Sequence, residues 1–362
     1  MDPILPVAVV VPAHNAAAWL SAAIRSVLAQ TLADWRLVVI DDGSTDTTAA
    51  IAAGFADPRI RLIRQANAGV SVARNRGAAA ALAAGARALL FLDADDFLAP
   101  DALARLAAAL ADAPNAVAAS GGFAPVTEDG APAGRARRAE SGDVLARLLT
   151  RNLFANGGQV LMRRSAALRV GGFRPELRFA EDWEYWVRLA ALGRFVAARG
   201  RAPVLFVRRR AAGAYLGAAA DPAAFAPALA AAYAAPGLAA RFGAARLARL
   251  RARMEAEAEW VAGRALLWHG RRAEALARLR LAWVARPGVK RAVLLAWWRA
   301  VGAVVWRARG APAPPPFPCV VPENKSGPTD PPAQQNEQLA SIPQKRLVVQ
   351  PRLRNLHVNL NS

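Results

Sequence analysis

The chain has 362 residues, enough for one large domain and an appendage, and its single cysteine and three histidines exclude a disulfide framework and a cysteine- or histidine-based metal cluster. Any metal must therefore be held by oxygen ligands. The net charge of +20 is uneven, because residues 1–200 carry 22 basic and 19 acidic side chains whereas residues 201–310 carry 20 and 5, a division that argues against a nucleic-acid-binding protein.

The first 120 residues alternate short apolar runs with helical patterns, which is typical of an open, mostly parallel α/β sheet. Strands are predicted at residues 7–11, 36–40, 60–64, 88–92 and 116–120. Helices are predicted at residues 15–30 with Asn15 as the N-cap, from about residue 46, at 71–84 and at 100–111. Asp41, Asp42 and Asp93 follow two of the strands. Because ligands bind at the carboxyl ends of strands in such sheets, these acidic residues predict a site.

The later part of the chain changes character twice. Residues 121–142 are rich in Gly, Pro and Arg and predict a loop, and residues 143–207 predict mixed structure with a helix at 182–192 and strands at 159–162 and 194–198. Residues 222–308 have a wholly helical pattern. The stretch 260–287 is spaced like one tetratricopeptide-type hairpin, and we interpret it as a helical cap because a single copy cannot form a solenoid.

Several sequence features bear on membranes. No basic segment precedes the apolar run at 7–11 and no apolar run reaches 18 residues, so we expect neither a signal peptide nor a spanning helix, and a cytoplasmic location. The apolar stretch 293–306 is too short to span a bilayer but suits a helix lying in its interface. With the basic segment beside it, this stretch predicts peripheral contact with an anionic membrane at the inner face of the plasma membrane.

The motif Asp93-Ala94-Asp95-Asp96 ends an apolar strand. Side chains at i and i+2 of an extended chain share a side, so Asp93 and Asp95 can face one space. Mg²⁺ and Mn²⁺ prefer such carboxylate oxygens and share them with phosphate and water. Alone, the motif is a weak signal, because carboxylates are also common in solvated turns.

Further motifs accompany the acidic one, and their order and separation matter more than any single motif. They are Val9-Val10-Val11-Pro12-Ala13-His14-Asn15, Asp41-Asp42-Gly43-Ser44-Thr45-Asp46, Asn67-Ala68-Gly69-Val70-Ser71-Val72-Ala73-Arg74-Asn75-Arg76-Gly77, and Gly171-Gly172-Phe173 followed by Phe179-Ala180-Glu181-Asp182-Trp183-Glu184. Together with Asp93–Asp96 they resemble family 2 glycosyltransferases of the GT-A fold, a Rossmann-like α/β fold. The resemblance covers about residues 5–200.

On the donor side, the resemblance implies that Pro12, His14 and Asn15 line a nucleobase pocket. The family usually has Tyr where this chain has His14, whose imidazole offers a smaller stacking surface. Asp42, with Asp41 beside it, would accept a hydrogen bond from the base, which favours a UDP-linked sugar.

Further roles follow from the same resemblance. Arg74 would approach the nucleotide, Asp93 would hold the ribose side, and Asp95 together with Asp93 would bind Mn²⁺ or Mg²⁺. On the acceptor side the Glu181-Asp182 pair precedes a helix, and Asp182 would be the general base; a helix N-cap is its alternative role.

Two neighbouring tryptophans in the same helix, Trp183 and Trp186, could form either the floor of a sugar pocket or part of the core.

The predicted function is transfer of a sugar, with inversion, from a nucleotide-diphosphate donor to a hydroxyl of a glycan or lipid-linked acceptor, in cell-envelope or extracellular glycan biosynthesis. The alternative is a nucleotide-sugar-binding pseudo-enzyme or a nucleotidyltransferase-like protein of the same fold. Residues 1–210 are predicted to form the catalytic domain, 211–310 a basic helical extension, and 311–362 a Pro-rich disordered tail.

Overall fold

The computed structural model describes residues 6–210 and 219–300. Its strands are β1 Val7–Ala13, β2 Trp35–Asp42, β3 Ile60–Gln65, β4 Ala88–Phe91, β5 Phe97–Leu98, β6 Ala116–Ser120, β7 Phe123–Val126, β8 Val160–Arg163, β9 Arg194–Ala197 and β10 Leu205–Arg208. Its helices are α1 Leu20–Leu28, α2 Thr48–Ala53, α3 Val70–Ala83, α4 Ala102–Ala111, α5 Leu145–Leu148, α6 Arg164–Val170, α7 Glu181–Leu192, α8 Pro222–Tyr233, α9 Leu238–Phe242, α10 Ala244–Trp268, α11 Arg272–Ala285 and α12 Val289–Ala300.

A seven-stranded sheet with the order β3-β2-β1-β4-β8-β6-β9 organises the first 200 residues. The pairs β1–β2, β1–β4, β2–β3 and β6–β9 are parallel, and only β8 runs antiparallel to its neighbours in this sheet. All seven residues of β1 are buried, as expected for a strand covered by helices on both faces. The predicted mostly parallel α/β sheet is confirmed.

A second, three-stranded sheet with the order β5-β10-β7 was not predicted. The prediction of a loop over 121–142 is wrong at its start, because β7 pairs in parallel with β10 over four residues and Phe123 also bridges to Arg137. The strand contains Pro125, which lowers strand propensity, and its partner lies about 80 residues later in the chain. This small sheet brings the residues after β10 to the edge of the large one.

The start of α1 differs from the prediction. Asn15 does not cap a helix, because α1 begins at Leu20 and Asn15 adopts a left-handed backbone conformation with φ 48°. The Asn15 side-chain oxygen instead accepts a hydrogen bond from the backbone N–H of Thr45 (2.9 Å). Asn is one of the few residues that tolerate this conformation, and here it joins the loop after β1 to the loop after β2.

Helix α3 lies unusually close to the large sheet. A Cβ added at Gly77 would lie 2.3 Å from Val10 Cγ1 and 3.2 Å from Ile40 Cγ1, so only glycine fits between the helix and strands β1 and β2. This close approach places Arg74, one turn earlier in α3, above the sheet, where its side chain is buried.

Residues 219–300 are helical, as predicted. Phe225 in α8 packs against Trp183 in α7 with ring centroids 5.0 Å apart, and α10 and α11 form a hairpin in which Trp260 and Leu279 are buried together. None of the helices in the two described ranges is long and apolar enough to cross a bilayer. The predicted boundary at 210/211 remains a prediction, and the tail at 311–362 lies outside the described residues.

Candidate active site

The strand order brings the predicted acidic motifs together. β1 lies between β2 and β4 and pairs in parallel with both, so the carboxyl ends of the three strands meet at one edge of the sheet. The strand order runs outwards from β1 to β2 and β3 on one side and then continues with β4 on the other side. This is the position at which open α/β sheets bind ligands. Asp41 and Asp42 end β2, and Asp93 follows β4.

The Asp42 carboxylate organises the loop that leads into α3. It is buried and accepts hydrogen bonds from Gln65 Nε2 (2.7 Å) and from the backbone N–H groups of Ala68 and Gly69 (2.9 Å each). A carboxylate offers about four acceptor positions, so capacity for about one more donor remains. Asp41, also buried, pairs with Arg64 at 3.2 Å.

The segment between β1 and α1 lies beside this loop. His14 is exposed, and its ring donates from Nδ1 to the backbone carbonyl oxygen of Asp42 (2.8 Å). Asn15 is exposed as well, whereas Pro12 is buried within β1. Of the three residues predicted to line a base pocket, His14 and Asn15 therefore present accessible side chains and Pro12 does not.

Arg74 contacts both the acidic motif after β4 and the Glu181-Asp182 pair at the start of α7, which are far apart in the sequence. Its guanidinium donates from NH2 to Asp93 Oδ1 (2.8 Å) and from NH1 to Glu181 Oε1 (2.9 Å), and it lies 5.1 Å from the centroid of the Phe173 ring. Burial opposes the charge of Arg74, but the carboxylates of Asp93 and Glu181 outweigh this effect and raise its pKa. The acidic motif after β4 and the start of α7 are thus held close together by one guanidinium.

The three aspartates after β4 form a cluster of carboxylates that could bind a divalent cation. One carboxylate oxygen each from Asp93, Asp95 and Asp96 lies within 4.8 Å of the others. Burial and the neighbouring carboxylates raise the pKa values of Asp95 and Asp96. A divalent cation would relieve this repulsion, and an all-oxygen donor set fits Mg²⁺ or Mn²⁺.

The three carboxylates are not equally available to a cation. Both oxygens of Asp96 are already hydrogen-bonded, one to Asn156 Nδ2 and one to the backbone N–H of Arg208 (2.8 Å). Asp95 Oδ2 pairs with Arg210 at 3.1 Å. Asp93 and Asp95 are therefore the residues that could hold a metal, while Asp96 joins the acidic motif to β10.

Asp182 lies in the first turn of α7. The N-cap position belongs to Ala180, which has a left-handed backbone conformation and no side-chain cap, so the capping alternative for Asp182 is not seen. Its Oδ1 accepts from the backbone N–H of Trp183 (2.6 Å). Burial and the neighbouring Glu181 carboxylate raise the pKa of Asp182 to about 7, although Arg74 acts in the opposite direction.

The aromatic residues of α7 have a structural role. Trp183 and Trp186 are 1% and 0% exposed and belong to the hydrophobic core, so neither forms the floor of a sugar pocket. Glu184 is fully buried and pairs with Arg174 (2.9 Å) and Arg188 (2.7 Å), which anchors the helix.

Comparison with known proteins identifies a matching family for part of the chain. The sequence model described as Glycosyl transferase family 2 matches residues 8–171. This match covers somewhat less than half of the chain and identifies residues 8–171 as a segment similar to family 2 glycosyltransferases. The chain is 42% identical over 107 residues to the Succinoglycan biosynthesis protein ExoO of Rhizobium meliloti, covering 29% of this chain and 30% of ExoO.

A second curated relative is the UDP-Glc:alpha-D-GlcNAc-diphosphoundecaprenol beta-1,3-glucosyltransferase WfgD of Escherichia coli. It is 43% identical over 91 residues, which cover 25% of this chain and 35% of WfgD. The chain thus spans about a third of the length of these curated relatives, and its identity with them is confined to that part.

The fold is shared with solved GT-A glycosyltransferases. The mannosyltransferase PcManGT of Pyrobaculum calidifontis, solved with GDP-Man and Mn²⁺, has a TM-score of 0.50 and 21% identity over 83% of this chain and 82% of that one. TarS 1–349 of S. aureus, solved with UDP-GlcNAc, has a TM-score of 0.50 and 17% identity over 82% and 88%. The predicted GT-A-type fold is confirmed.

Three residues of this candidate site were not predicted from the sequence. Asn156, Arg208 and Arg210 contact the acidic motif from segments more than 50 residues away. The Arg-rich composition conceals the two arginines among many others, and only β10, which was not predicted, brings them to the site. The position of Asp96 near the site could be predicted from the sequence, since it belongs to the same four-residue motif as Asp93 and Asp95.

Proposed function

We propose that this chain is an inverting glycosyltransferase that moves a sugar from a nucleoside diphosphate donor to an acceptor hydroxyl. The observation that carries the proposal is the Arg74 guanidinium, which contacts Asp93 at 2.8 Å and Glu181 at 2.9 Å and keeps the two acidic regions at one cleft. A single displacement requires the leaving group and the acceptor on opposite sides of the sugar, and such a cleft holds both reactants in position.

Asp182 is the proposed base. The acceptor oxygen forms a bond to the anomeric carbon as the bond from that carbon to the diphosphate oxygen breaks on the opposite face, and the acceptor proton passes to the Asp182 carboxylate. A pKa of about 7 leaves roughly half of this carboxylate ionised at neutral pH and makes it a stronger base than an ordinary aspartate.

Asp93 and Asp95 are the proposed ligands of Mn²⁺ or Mg²⁺, which would offset the charge of the departing nucleoside diphosphate. The protein supports this arrangement with two cations of its own. Arg74 fixes the Asp93 carboxylate from inside the cleft, and Arg210 faces Asp95 at 3.1 Å. Both guanidiniums lie close enough to the acidic motif to counter part of the negative charge brought by a diphosphate.

We propose UDP as the nucleotide, with His14, Asn15, Asp41 and Asp42 at the base and Pro12 supporting them from within β1. TarS was solved with UDP-GlcNAc and PcManGT with GDP-Man, so the choice of base rests on the remaining acceptor capacity of Asp42. The name of WfgD specifies a diphosphoundecaprenol-linked acceptor, and that of ExoO specifies succinoglycan biosynthesis. A glycan or lipid-linked acceptor in cell-envelope or extracellular glycan synthesis is proposed here on that basis.

We further propose peripheral contact with an anionic membrane on the cytoplasmic side, through helices α11 and α12. Of the eight large apolar side chains that are exposed in the described residues, six lie between 281 and 297. Val289, Val293 and Trp297 follow each other at intervals of four residues along one exposed face of α12. Flotation of the full chain with phosphatidylglycerol vesicles should therefore fall strongly in Val293→Ser/Trp297→Ser, whereas equal flotation would contradict the proposal.

A panel of nucleotide sugars tests the central proposal. The full chain should bind one or a few of them in a Mn²⁺-dependent manner by calorimetry and should slowly release nucleoside diphosphate. Asp95→Ala should weaken Mn²⁺-dependent binding, whereas Asp182→Asn should retain binding and lose turnover by about 10²–10⁴. Asp112→Ala, an exposed carboxylate paired with Arg199, is the matched control. Binding without any release or transfer would instead support a nucleotide-sugar-binding pseudo-enzyme.

A further inference from the structure

A cavity between α5 and α10 is lined largely by arginine, and none of the acidic residues described above lines it. It has a volume of about 390 Å³. We call it the arginine pocket, defined by six of its lining residues: Arg147, Thr150, Arg246, Arg249, Leu250 and Arg253. No acidic side chain of the described residues lines it.

The charges in the arginine pocket are only partly compensated within the protein. Arg147 forms an ion pair with Glu140, which does not line the cavity. Arg246, Arg249 and Arg253 form no ion pair with any residue in the described parts of the chain, and the Arg246 guanidinium lies 5.1 Å from the centroid of the Phe242 ring. Three like charges therefore point towards one cavity and repel each other.

The helix geometry brings these charges together. Positions 246, 249, 250 and 253 have the spacing i, i+3, i+4 and i+7, which is one face of a helix. In an ordinary packed helix this face is apolar, and here Leu250 is buried in the core while the arginines beside it remain exposed. The arginines give the cavity a positively charged wall that suits an anion.

We propose that the arginine pocket binds a phosphate group with two or more negative charges, such as a diphosphate. Guanidinium groups match phosphate oxygens with paired hydrogen bonds, and the Thr150 hydroxyl on the same wall can contribute one more. A single carboxylate would leave two of the three uncompensated charges unpaired. The volume also leaves room for an organic group attached to the phosphate.

The arginine pocket adjoins the proposed acceptor side through one hydrogen bond. Leu148, between the lining residues Arg147 and Thr150, accepts a hydrogen bond from Trp183 Nε1 at its backbone oxygen (2.8 Å). Trp183 directly follows Asp182 in α7. A ligand that orders the end of α5 would therefore also order the turn that carries Asp182. Phosphate binding itself does not depend on the proposed transfer reaction.

Calorimetry with inorganic pyrophosphate tests this site. The full chain is titrated in EDTA, so that no divalent cation recruits pyrophosphate to Asp93 and Asp95. We expect one site whose affinity falls on raising salt from 50 to 200 mM and falls at least tenfold in Arg249→Gln/Arg253→Gln. Arg251→Gln/Arg280→Gln removes the same charge from exposed positions outside the pocket and should bind as the wild type does.

Vesicle binding distinguishes a lipid headgroup from a free phosphate compound as the ligand. If the ligand is a lipid headgroup, the pocket variant should lose cosedimentation with phosphatidic acid vesicles while retaining that with phosphatidylglycerol vesicles. If the ligand is a free phosphate compound, only pyrophosphate binding should change. Equal loss of pyrophosphate affinity in pocket and control variants, or no binding to the wild type, would overturn the proposal. Arg246→Gln, at an exposed position without an ion pair, provides a second test if the double variant is unstable.

Discussion

Replacing the proposed base should make the protein more stable while removing its activity. The pKa of Asp182 is raised from the ordinary 3.8 to about 7, which means that its ionised form is disfavoured in the folded state. Each pKa unit corresponds to about 1.4 kcal/mol, so the full shift of about 3 units sets an upper limit of about 4 kcal/mol. Because Asp182 is only half-buried and solvent screens part of the effect, we expect Asp182→Asn to gain about 1–3 kcal/mol.

The sign and the pH window follow from linkage. A carboxyl whose folded-state pKa is raised destabilises the fold when it ionises, so the cost is absent below about pH 4, grows between pH 4 and 7, and is constant above pH 7. Asparagine carries no charge at any of these pH values, and its side-chain oxygen can still accept the hydrogen bond from the Trp183 N–H. The gain in stability should therefore appear only as the pH rises.

Thermal melts of wild type and Asp182→Asn at pH 4, 5.5 and 8, all in EDTA, provide the assay. For a chain of this size, about 2 °C per kcal/mol predicts a higher Tm by about 2–6 °C at pH 8 and little difference at pH 4. Asp34→Asn, at an exposed aspartate, should shift the Tm by less than about 1 °C at each pH. A Tm for Asp182→Asn that is unchanged or lower at pH 8 would refute the link between the cleft and the raised pKa.

Three further outcomes are expected. The kcat/KM of the wild type should rise with pH, with a midpoint near 7, because the base acts in its ionised form. Arg74→Gln should cost about 3–5 kcal/mol of stability in denaturant unfolding, since it leaves Asp93 and Glu181 without their shared partner, and should move the pH midpoint of any residual activity upwards, because Arg74 lowers the pKa of Asp182. Gly77→Ala should lower stability by about 1–3 kcal/mol, because its Cβ would clash with Val10.

Each of these has a matched control. Arg76→Gln changes an exposed arginine in the same helix and should leave the pH midpoint in place. Gly54→Ala adds a Cβ no closer than 3.5 Å to any atom and should be nearly neutral. A flat rate profile between pH 5.5 and 9 would contradict the role of Asp182, and equal losses for Gly54→Ala and Gly77→Ala would contradict the close approach of α3 to the sheet.

The large sheet could be predicted from the sequence because several of its strands are recognisable as short apolar runs. Runs such as the one at 7–11 are apolar at every position, and the aspartates that follow them are the ordinary mark of a sheet edge. The pairing of Arg74 with Glu181 could not be predicted, since 107 residues separate them and the contact depends on how α7 packs. The same holds for Arg210, which reaches Asp95 only through a three-stranded sheet whose strands are too short to show a pattern.

Individual side chains within a motif were harder to predict than the motif itself. Pro12 and Asn15 lie on either side of His14 in the same short segment, yet Pro12 is buried and Asn15 is exposed with a left-handed backbone conformation. Trp183 and Asp182 are neighbours with different roles, one in the core and one at the cleft. Which side of a helix or strand faces the solvent is decided by packing partners that lie elsewhere in the chain.

The segment that matches the family ends at Gly171, before α7, β9 and β10 begin. A shortened protein that stopped there would lack Asp182, would leave Arg74 with one carboxylate instead of two, and would leave Asp96 without the β10 backbone N–H. A fragment that keeps all of these contacts and the Arg210–Asp95 pair must therefore extend at least through Arg210. Because Phe225 in α8 covers Trp183, expression of residues 6–300 should yield folded material where shorter fragments aggregate.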